Sequence, residues 1–324
     1  MKKFVFLIIL ATVFSAYAQT ADDEKETLRK LNQTVVSLYR GQKFDEALKA
    51  ARQALDLSVK IYGGDHLQTA NAYTNLGVIY REKGKFDESI ENLQKAADIY
   101  QKIPNFKSTQ TIAAYEVLAY SQVLDGRKPE AEASCLKALE IAESSFGKQS
   151  KESFSPTLNL AKFYAGDKKF EKADDFYLQA YAVAIKNFGK EGKEIDQIED
   201  SRTCLFNGQK RAEEKETAYY DAKNKLFGID TTAVKSGGVI NGKALSLPRP
   251  PYPAEARERR LGGTALVKVK IDEAGNVVKV KSICRNDVLG KAAEEAARGA
   301  KFSPTLLNGK PVSVTGIIVY NFVP

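Results

Sequence analysis

The feature that most constrains this chain is a repeat. Ala54, Ala96, Ala138 and Ala180 recur every 42 residues, and Ala47, Ser89, Ala131 and Ala173 keep the same period with small residues only. Phe44, Phe86 and Phe170 form a third register, interrupted by Lys128 in the third copy. A period of this length marks an array of supersecondary units. Small residues recur at one position where paired helices must cross closely. Thr69–Glu82 and Phe86–Ile103 space apolar residues by three and four, as amphipathic helices do, and Gly84 and Gly126 mark the turns within units. Each unit therefore reads as helix, turn, helix. One such hairpin cannot bury its apolar face alone; four stacked together bury a continuous core.

The second copy carries Gly64-Asp65-His66, Thr69-Ala70, Asn75-Leu76-Gly77, Tyr80, Gly84-Lys85-Phe86 and Ala96. The fourth carries Leu158-Asn159-Leu160-Ala161, Tyr164 and Phe170-Glu171-Lys172-Ala173. This pattern resembles tetratricopeptide repeats of the long kind found in kinesin light chains. It covers roughly residues 25 to 225, counting an irregular helix pair near Glu194–Leu226 as a closing cap. The resemblance implies a groove, lined by the first helix of each unit, that takes an extended peptide or a helix. The matching positions are Asn75, Val78, Arg81, Glu116, Tyr120, Asn159 and Lys162, with Asn75 and Asn159 where related domains clamp a ligand backbone or carboxylate. The competing reading makes these ordinary solvated helix residues. His66 is read as a structural loop residue, because no partner base or nucleophile accompanies it.

Residues 1–18 read as a secretory signal: Lys2 and Lys3, an apolar core from Phe4 to Phe14, and Ala16-Tyr17-Ala18 as the cleavage site. Phe4 to Ala18 falls short of the roughly 20 residues needed to span a bilayer, so cleavage is preferred to an uncleaved anchor. The expected destination is the periplasm. The chain has one His, three Cys and no zinc-type spacing, so no metal or cofactor is expected, and no nucleophile, base and orienter set can be assembled for an enzyme. Three buried free thiols at Cys135, Cys204 and Cys284 are preferred to one bridge with a thiol left over.

Around Leu226–Ile240 the helical period stops and Gly, Ser and Thr accumulate, as in a linker. Then come a proline-led helix over Ala254–Leu261 and a hairpin of Thr264–Ile271 and Val277–Cys284 turning at Glu273–Asn276. A helix over Leu289–Lys301 sets Leu289, Ala293, Ala296, Ala297 and Ala300 on one side, and an Asn308-Gly309 turn follows. The last strand, Val312–Val323, puts Val312, Val314, Ile318, Tyr320 and Phe322 on one face. Pro250-x-Tyr252-Pro253-x-x-Ala256, Gly263, Ile271-Asp272-x-x-Gly275, Ala292-Ala293, Ala297, Phe302-x-Pro304, Gly309-x-Pro311-Val312 and Phe322 together resemble the TonB C-terminal domain. That resemblance implies a periplasmic tip that grips an extended receptor segment by sheet-edge pairing and passes on force from an inner-membrane motor. The chain departs from that family in three ways. It shows no convincing anchor, no His in its N-terminal apolar segment, and a helical array where a Pro-rich spacer would stand.

The expected architecture is multi-domain: an all-α tetratricopeptide superhelix, then a small α+β TonB-like domain with an antiparallel sheet. The expected bounds are signal 1–18, repeats 19–226, linker 227–240 and TonB-like domain 241–324. From Ile240 onward fourteen Lys and Arg face seven Asp and Glu, a local +7, with Lys268, Lys270, Lys279 and Lys281 on one hairpin face. A solvated sheet face is preferred there to a site for an anionic partner such as an acidic protein segment, peptidoglycan or lipopolysaccharide. Nucleic acid is not expected as a partner. The last strand has no charged side chain between Pro311 and Pro324, and an unguarded edge invites strand addition. The expected peptide site is Tyr252, Pro253, Val312, Ser313, Val314, Thr315, Ile317, Val319 and Asn321. A homodimer through the same strand is the alternative use of that edge. The function expected is a non-enzymatic periplasmic adaptor for a protein or extended-peptide partner in the envelope, with an outer-membrane receptor as the example. The rival is an energy transducer that keeps its N-terminal anchor.

Overall fold

The computed structural model of the chain describes residues 22–103, 109–206, 213–228, 239–240, 242–284 and 287–323. The expected export signal lies outside them. Among the described residues, no helix is long and apolar enough to cross a membrane. The chain divides into two compact units, residues 1–160 and 161–324.

The first unit is helical. After α1 (22–40) come α2 (Phe44–Tyr62), α3 (Leu67–Glu82), α4 (Phe86–Lys102), α5 (Thr109–Leu124) and α6 (Lys128–Phe146), and from α2 onward each packs on the next. The second helices begin at 44, 86 and 128, and α8 (Phe170–Phe188) of the second unit begins at 170, so the period survives the interruption at Lys128. Both small-residue registers are sealed, with none of their eight residues more than 1% exposed. Gly77 shows why: a Cβ there would lie 2.5 Å from Leu93 Cγ. The turn position is left-handed in every copy, at Gly84 (φ 69°) and Gly126 (φ 77°) but also at Gln42 (φ 57°) and Lys168 (φ 61°). Glycine adopts this conformation freely, and the two side-chain-bearing residues adopt it under the constraint of the packed helices on either side. His66 has the structural role expected. It caps α3, its Nδ1 accepting from the Gln68 N–H at 3.2 Å, and its ring stacks on Tyr62 at 4.4 Å.

The division between the units falls within α7 (Phe154–Gly166), which follows a 3-10 turn at Lys151–Ser153. The second unit continues with α8, α9 (Lys193–Phe206) and α10 (Glu213–Phe227), the irregular cap expected from the sequence. Buried Arg202 pins these three helices. It pairs with Asp174 at 3.0 Å and Glu216 at 3.1 Å, with its guanidinium 3.6 Å over the Tyr219 ring. Burial works against its charge, but the bonds to Asp174 and Glu216 outweigh it and hold the pKa above the usual arginine value.

Three small antiparallel sheets follow. In one, β1 (Val239–Ile240) pairs with β6 (Thr305–Leu307), and β6 with β7 (Lys310–Val312) through the expected Asn308-Gly309 turn. In another, β2 (Ala244–Ser246) pairs with β5 (Lys301–Phe302). The third has the order β4 (Val277–Ile283), β3 (Gly263–Ile271), β8 (Val314–Phe322). A short helix α11 (Ala254–Glu258) precedes β3, and α12 (Val288–Arg298) covers the inner sheet face. There Leu289, Ala293, Ala296, Ala297 and Ala300 are buried against Val267, Val269, Ile318, Tyr320 and Phe322. Asp272 closes the β3–β4 turn, its carboxylate accepting from the Ala274 and Asn276 N–H groups, which hold its pKa below the usual range.

Two expectations need correction. The final strand is broken at Ser313, because Val312 pairs with Thr305 in the β6–β7 hairpin while β8 pairs with β3. Cys204 and Cys284 are joined in a disulfide, leaving Cys135 as the one free thiol. The bond spans 80 residues and forms because the end of α9 meets the end of β4, a proximity that no local spacing encodes. Cys135 is inert. Burial first, with the nearby Glu116 and Glu132 charges, pushes its thiol up to about 12.

Candidate functional site

The free edge of β8 follows from its register. β3 and β8 pair without interruption from Gly263↔Phe322 to Ile271↔Val314. Backbone groups of successive strand residues point to opposite edges. The Asp272 N–H donates to the Asn276 carbonyl in the turn toward β4, so even-numbered β3 residues face β4 and odd-numbered ones face β8. The Ser313 hydroxyl agrees, donating to the Ile271 carbonyl at 2.8 Å. Val314, Gly316, Ile318, Tyr320 and Phe322 therefore spend their backbone groups on β3. Thr315, Ile317, Val319 and Asn321 turn theirs outward, where no described strand pairs with them.

The opposite edge of the sheet, on β4, is met by α12 at one point. The Ser282 N–H of β4 donates to the Glu294 carboxylate of α12, a contact that the sequence did not reveal. The side chains of β8 alternate as its register requires. Ile318, Tyr320 and Phe322 enter the core, while Ile317 is 40% and Val319 50% exposed on the outer face beside Thr315 and Asn321. Burial alone raises the pKa of the Tyr320 phenol.

The other expected peptide-site residues serve mainly to build this edge. Tyr252 donates its hydroxyl to the Leu261 carbonyl at 2.6 Å and packs its ring 6.2 Å from Phe322. Pro253 is the N-cap of α11. Val312 and Ser313 anchor the start of β8 on Thr305 and Ile271, Val314 opens the β3 ladder, and Asn321 Oδ1 accepts from the Thr264 hydroxyl at 2.9 Å.

The expected groove residues fall into separate contacts. Asn75, with Asn71, Thr74, Gln68 and Asn32, lines an amide-rich groove of about 380 Å3. Arg81 lies 5.2 Å over the Tyr120 ring, and Val78 is half-buried. The Glu116 carboxylate accepts from Ser155 at 2.6 Å and Asn159 at 2.8 Å, so this acid and amide serve each other. Lys162 is half-buried on α7.

The expected solvated lysine face is corrected in part. Lys268 lies opposite Lys281, and Lys270 opposite Lys279, placements that repel within a sheet. Carboxylates from α9 offset the first pair. Lys268 Nζ lies 2.9 Å from Asp196, 3.3 Å from Asp200 and 3.6 Å from Glu199, and Lys281 lies 2.6 Å from Asp200. Burial would lower the Lys268 pKa, but the Asp196 hydrogen bond and the Asp200 and Glu199 charges raise it. The Lys268 bond in turn lowers that of Asp196. Lys270 and Lys279 stay exposed. The acid spacing Asp196, Glu199, Asp200 on one helix face was the signal available for this match.

Comparison with known proteins agrees with both halves. Residues 26–102 match the tetratricopeptide repeat family, and residues 248–324 match the family described as Gram-negative bacterial TonB protein C-terminal. Protein TonB of Vibrio cholerae serotype O1 is 36% identical over 67 residues, which are 20% of this chain and 28% of that protein. The chain thus matches little more than a quarter of that relative's length. Among solved structures, the nearly identical TPR-like repeats of a Podosopora anserina kinesin light chain superpose with TM-score 0.51 at 15% identity, covering 64% of this chain and 96% of that one. BtubC of P. vanneervenii gives TM-score 0.50 at 16% identity, covering 73% and 95%. At these identities the two structures show a shared fold.

Proposed function

From a chain that joins tetratricopeptide repeats to a TonB C-terminal domain, we propose a non-enzymatic adaptor of the cell envelope that takes an extended peptide as a fourth strand on β8. The observation that carries this reading is the uncharged free edge. It presents the outward backbone groups of Thr315, Ile317, Val319 and Asn321, with no charged side chain among them, whereas on β4 Glu294 takes up the Ser282 N–H and Lys279 and Lys281 add charge. Backbone pairing supplies affinity in this mode, and the exposed Ile317 and Val319 side chains give purchase to alternate residues of the ligand. A segment of an outer-membrane receptor is the partner that the TonB resemblance suggests. The repeats, with the groove around Asn75, Arg81 and Tyr120, offer a second protein-binding surface. Export to the periplasm is supported by residues 1–18 and by the Cys204–Cys284 bond, since disulfides persist in oxidising compartments.

Thr315→Pro tests the edge. It removes one outward donor and leaves the β3–β8 ladder intact, because Thr315 points away from β3. The variant should melt like the parent and lose capture of partners from envelope extracts. Ile318→Pro, facing β3, should instead unfold the sheet. Undiminished capture by a folded Thr315→Pro chain would move the site to the repeat groove.

A further inference from the structure

We infer that the Cys204–Cys284 bond is a redox latch, which clamps the lysine face of the β3–β4 hairpin to α9 and on reduction frees that face for an acidic peptide segment. Three observations converge on it. First, the two sides are held unequally. α9 is fixed to α8 and α10 through buried Arg202, with Asp174 and Glu216 as partners. Its polar hold on the sheet comes from Lys268 and Lys281: the pairs with Asp196 and with Lys281 each have one half-exposed partner, and the Lys268–Asp200 pair is more enclosed, with side chains 17% and 15% exposed. The half-exposed pairs each shift an equilibrium by about fivefold at most. The covalent bond, which closes a loop of 80 residues, is the larger constraint on this contact, and on opening the sheet leaves while α9 remains with its helices.

Second, the bond is placed where a reductant can reach it. Cys284 is exposed, and its backbone lies at φ 74°, the left-handed region that a side-chain-bearing residue occupies under constraint. A thiolate of a dithiol attacks Cys284 Sγ and expels Cys204 as thiolate. The second thiol of the reductant then displaces Cys284. Two electrons pass to the protein, both cysteines take up protons, and the dithiol leaves as its own disulfide.

Third, the covered surface has a defined chemistry. Lys268, Lys270, Lys279 and Lys281 form two facing pairs of like charge, and among the described residues the ion pairs from α9, at 196, 199 and 200, are made with the Lys268–Lys281 pair. An acidic segment with that spacing fits the same face, and α9 is its built-in occupant.

Amine acylation of the full-length chain, read lysine by lysine, tests the latch. Lys268 is caged by three carboxylates, whereas exposed Lys270 and Lys279 serve as internal references. After dithiol treatment Lys268 should acylate at least about tenfold faster while the references change little, the mark of a local opening. A synthetic peptide of residues 193–206 with serine in place of Cys204 should bind the reduced chain and not the oxidised one. The double variant Cys204→Ser, Cys284→Ser should behave as the reduced form without any reductant. If that variant fails to fold, the dithiol-treated parent still carries the test. Unchanged protection of Lys268 with both thiols alkylated would overturn the inference. So would equal acceleration of all the hairpin lysines, which reports unfolding of the hairpin, or a bond that yields to the dithiol only in denaturant.

Discussion

Replacing Gly77 by alanine sets two effects of opposite sign against each other at one helix crossing. In a helix interior alanine is favoured over glycine by about 1 kcal/mol. At Gly77, however, the new Cβ would meet Leu93 Cγ at 2.5 Å, Leu93 Cδ2 at 2.9 Å and the Ser89 carbonyl oxygen at 3.1 Å. Ser89 and Leu93 are fully buried, and the Ser89 hydroxyl lies 3.0 Å from that of Ser121, so neither can retreat cheaply. Overpacking of this kind costs about 1–3 kcal/mol. The net expectation is a loss of up to about 2 kcal/mol, or a thermal midpoint lower by up to about 8 °C for a cooperative unit of about 150 residues. The repeat supplies its own control. The pairs equivalent to Gly77 and Leu93 are Val35 and Ala51, Ala119 and Cys135, and Ala161 and Tyr177; the first two trade a larger first residue for a smaller second, and the last, larger at both positions, does not. Gly77→Val combined with Leu93→Ala copies the first repeat, and should recover most of what the single changes lose. Circular dichroism melts of the two single variants and the double variant give the coupling. Additive losses, or a single Gly77→Ala that stabilises, would refute the argument that crossing volume is shared between these positions.

Other outcomes follow from the second unit. Removing the Cys204–Cys284 bond should destabilise that unit by up to about 4.5 kcal/mol on the loop-entropy estimate, measured as a urea midpoint for Cys204→Ser, Cys284→Ser against the oxidised parent. Gly275→Ala should unfold the β3–β4 turn, because φ is 88° there and a Cβ would sit 1.9 Å from the Phe302 carbonyl oxygen; loss of Lys268 protection reads it. The α9–sheet contact should be insensitive to pH across the neutral range. Asp196, with its pKa lowered, contributes above the usual carboxylate range and loses that contribution as acid carries the pH down through its depressed value. Lys268, with its pKa raised, contributes fully below about 10.5 and loses that contribution above it. Asp200 and Glu199 on α9, Lys279 and Lys281 on β4 and Lys223 on α10 share this field, so Lys268 acylation against pH should be compared with Asp200→Asn. N-terminal sequencing of the chain recovered from cells should begin at Gln19; an intact Met1 would favour the anchored transducer.

Much of the architecture was legible because it is written in local periods. The 42-residue spacing of Ala54, Ala96, Ala138 and Ala180 specified where helices cross, and every one of those residues is sealed. The face of α12, the Asn308-Gly309 turn and the inward set Ile318, Tyr320 and Phe322 likewise repeat a helix, turn or strand geometry that neighbouring residues alone impose. The left-handed turns at Gln42 and Lys168 were less legible, since only glycine advertises that conformation, and here packed helices enforce it.

What tertiary structure alone decided are the meetings between distant segments. Four hairpin lysines looked like a solvated face until α9 set Asp196, Glu199 and Asp200 against Lys268 and Lys281. Cys204 and Cys284 looked like separate thiols until that same docking brought the end of α9 to the end of β4. The Ser282 N–H on the β4 edge found its partner, Glu294, only once α12 had folded back onto the sheet. A period constrains residues three or four apart through the backbone itself. A charge or a thiol carries no record of which of many partners a folded surface will place within a few ångströms of it.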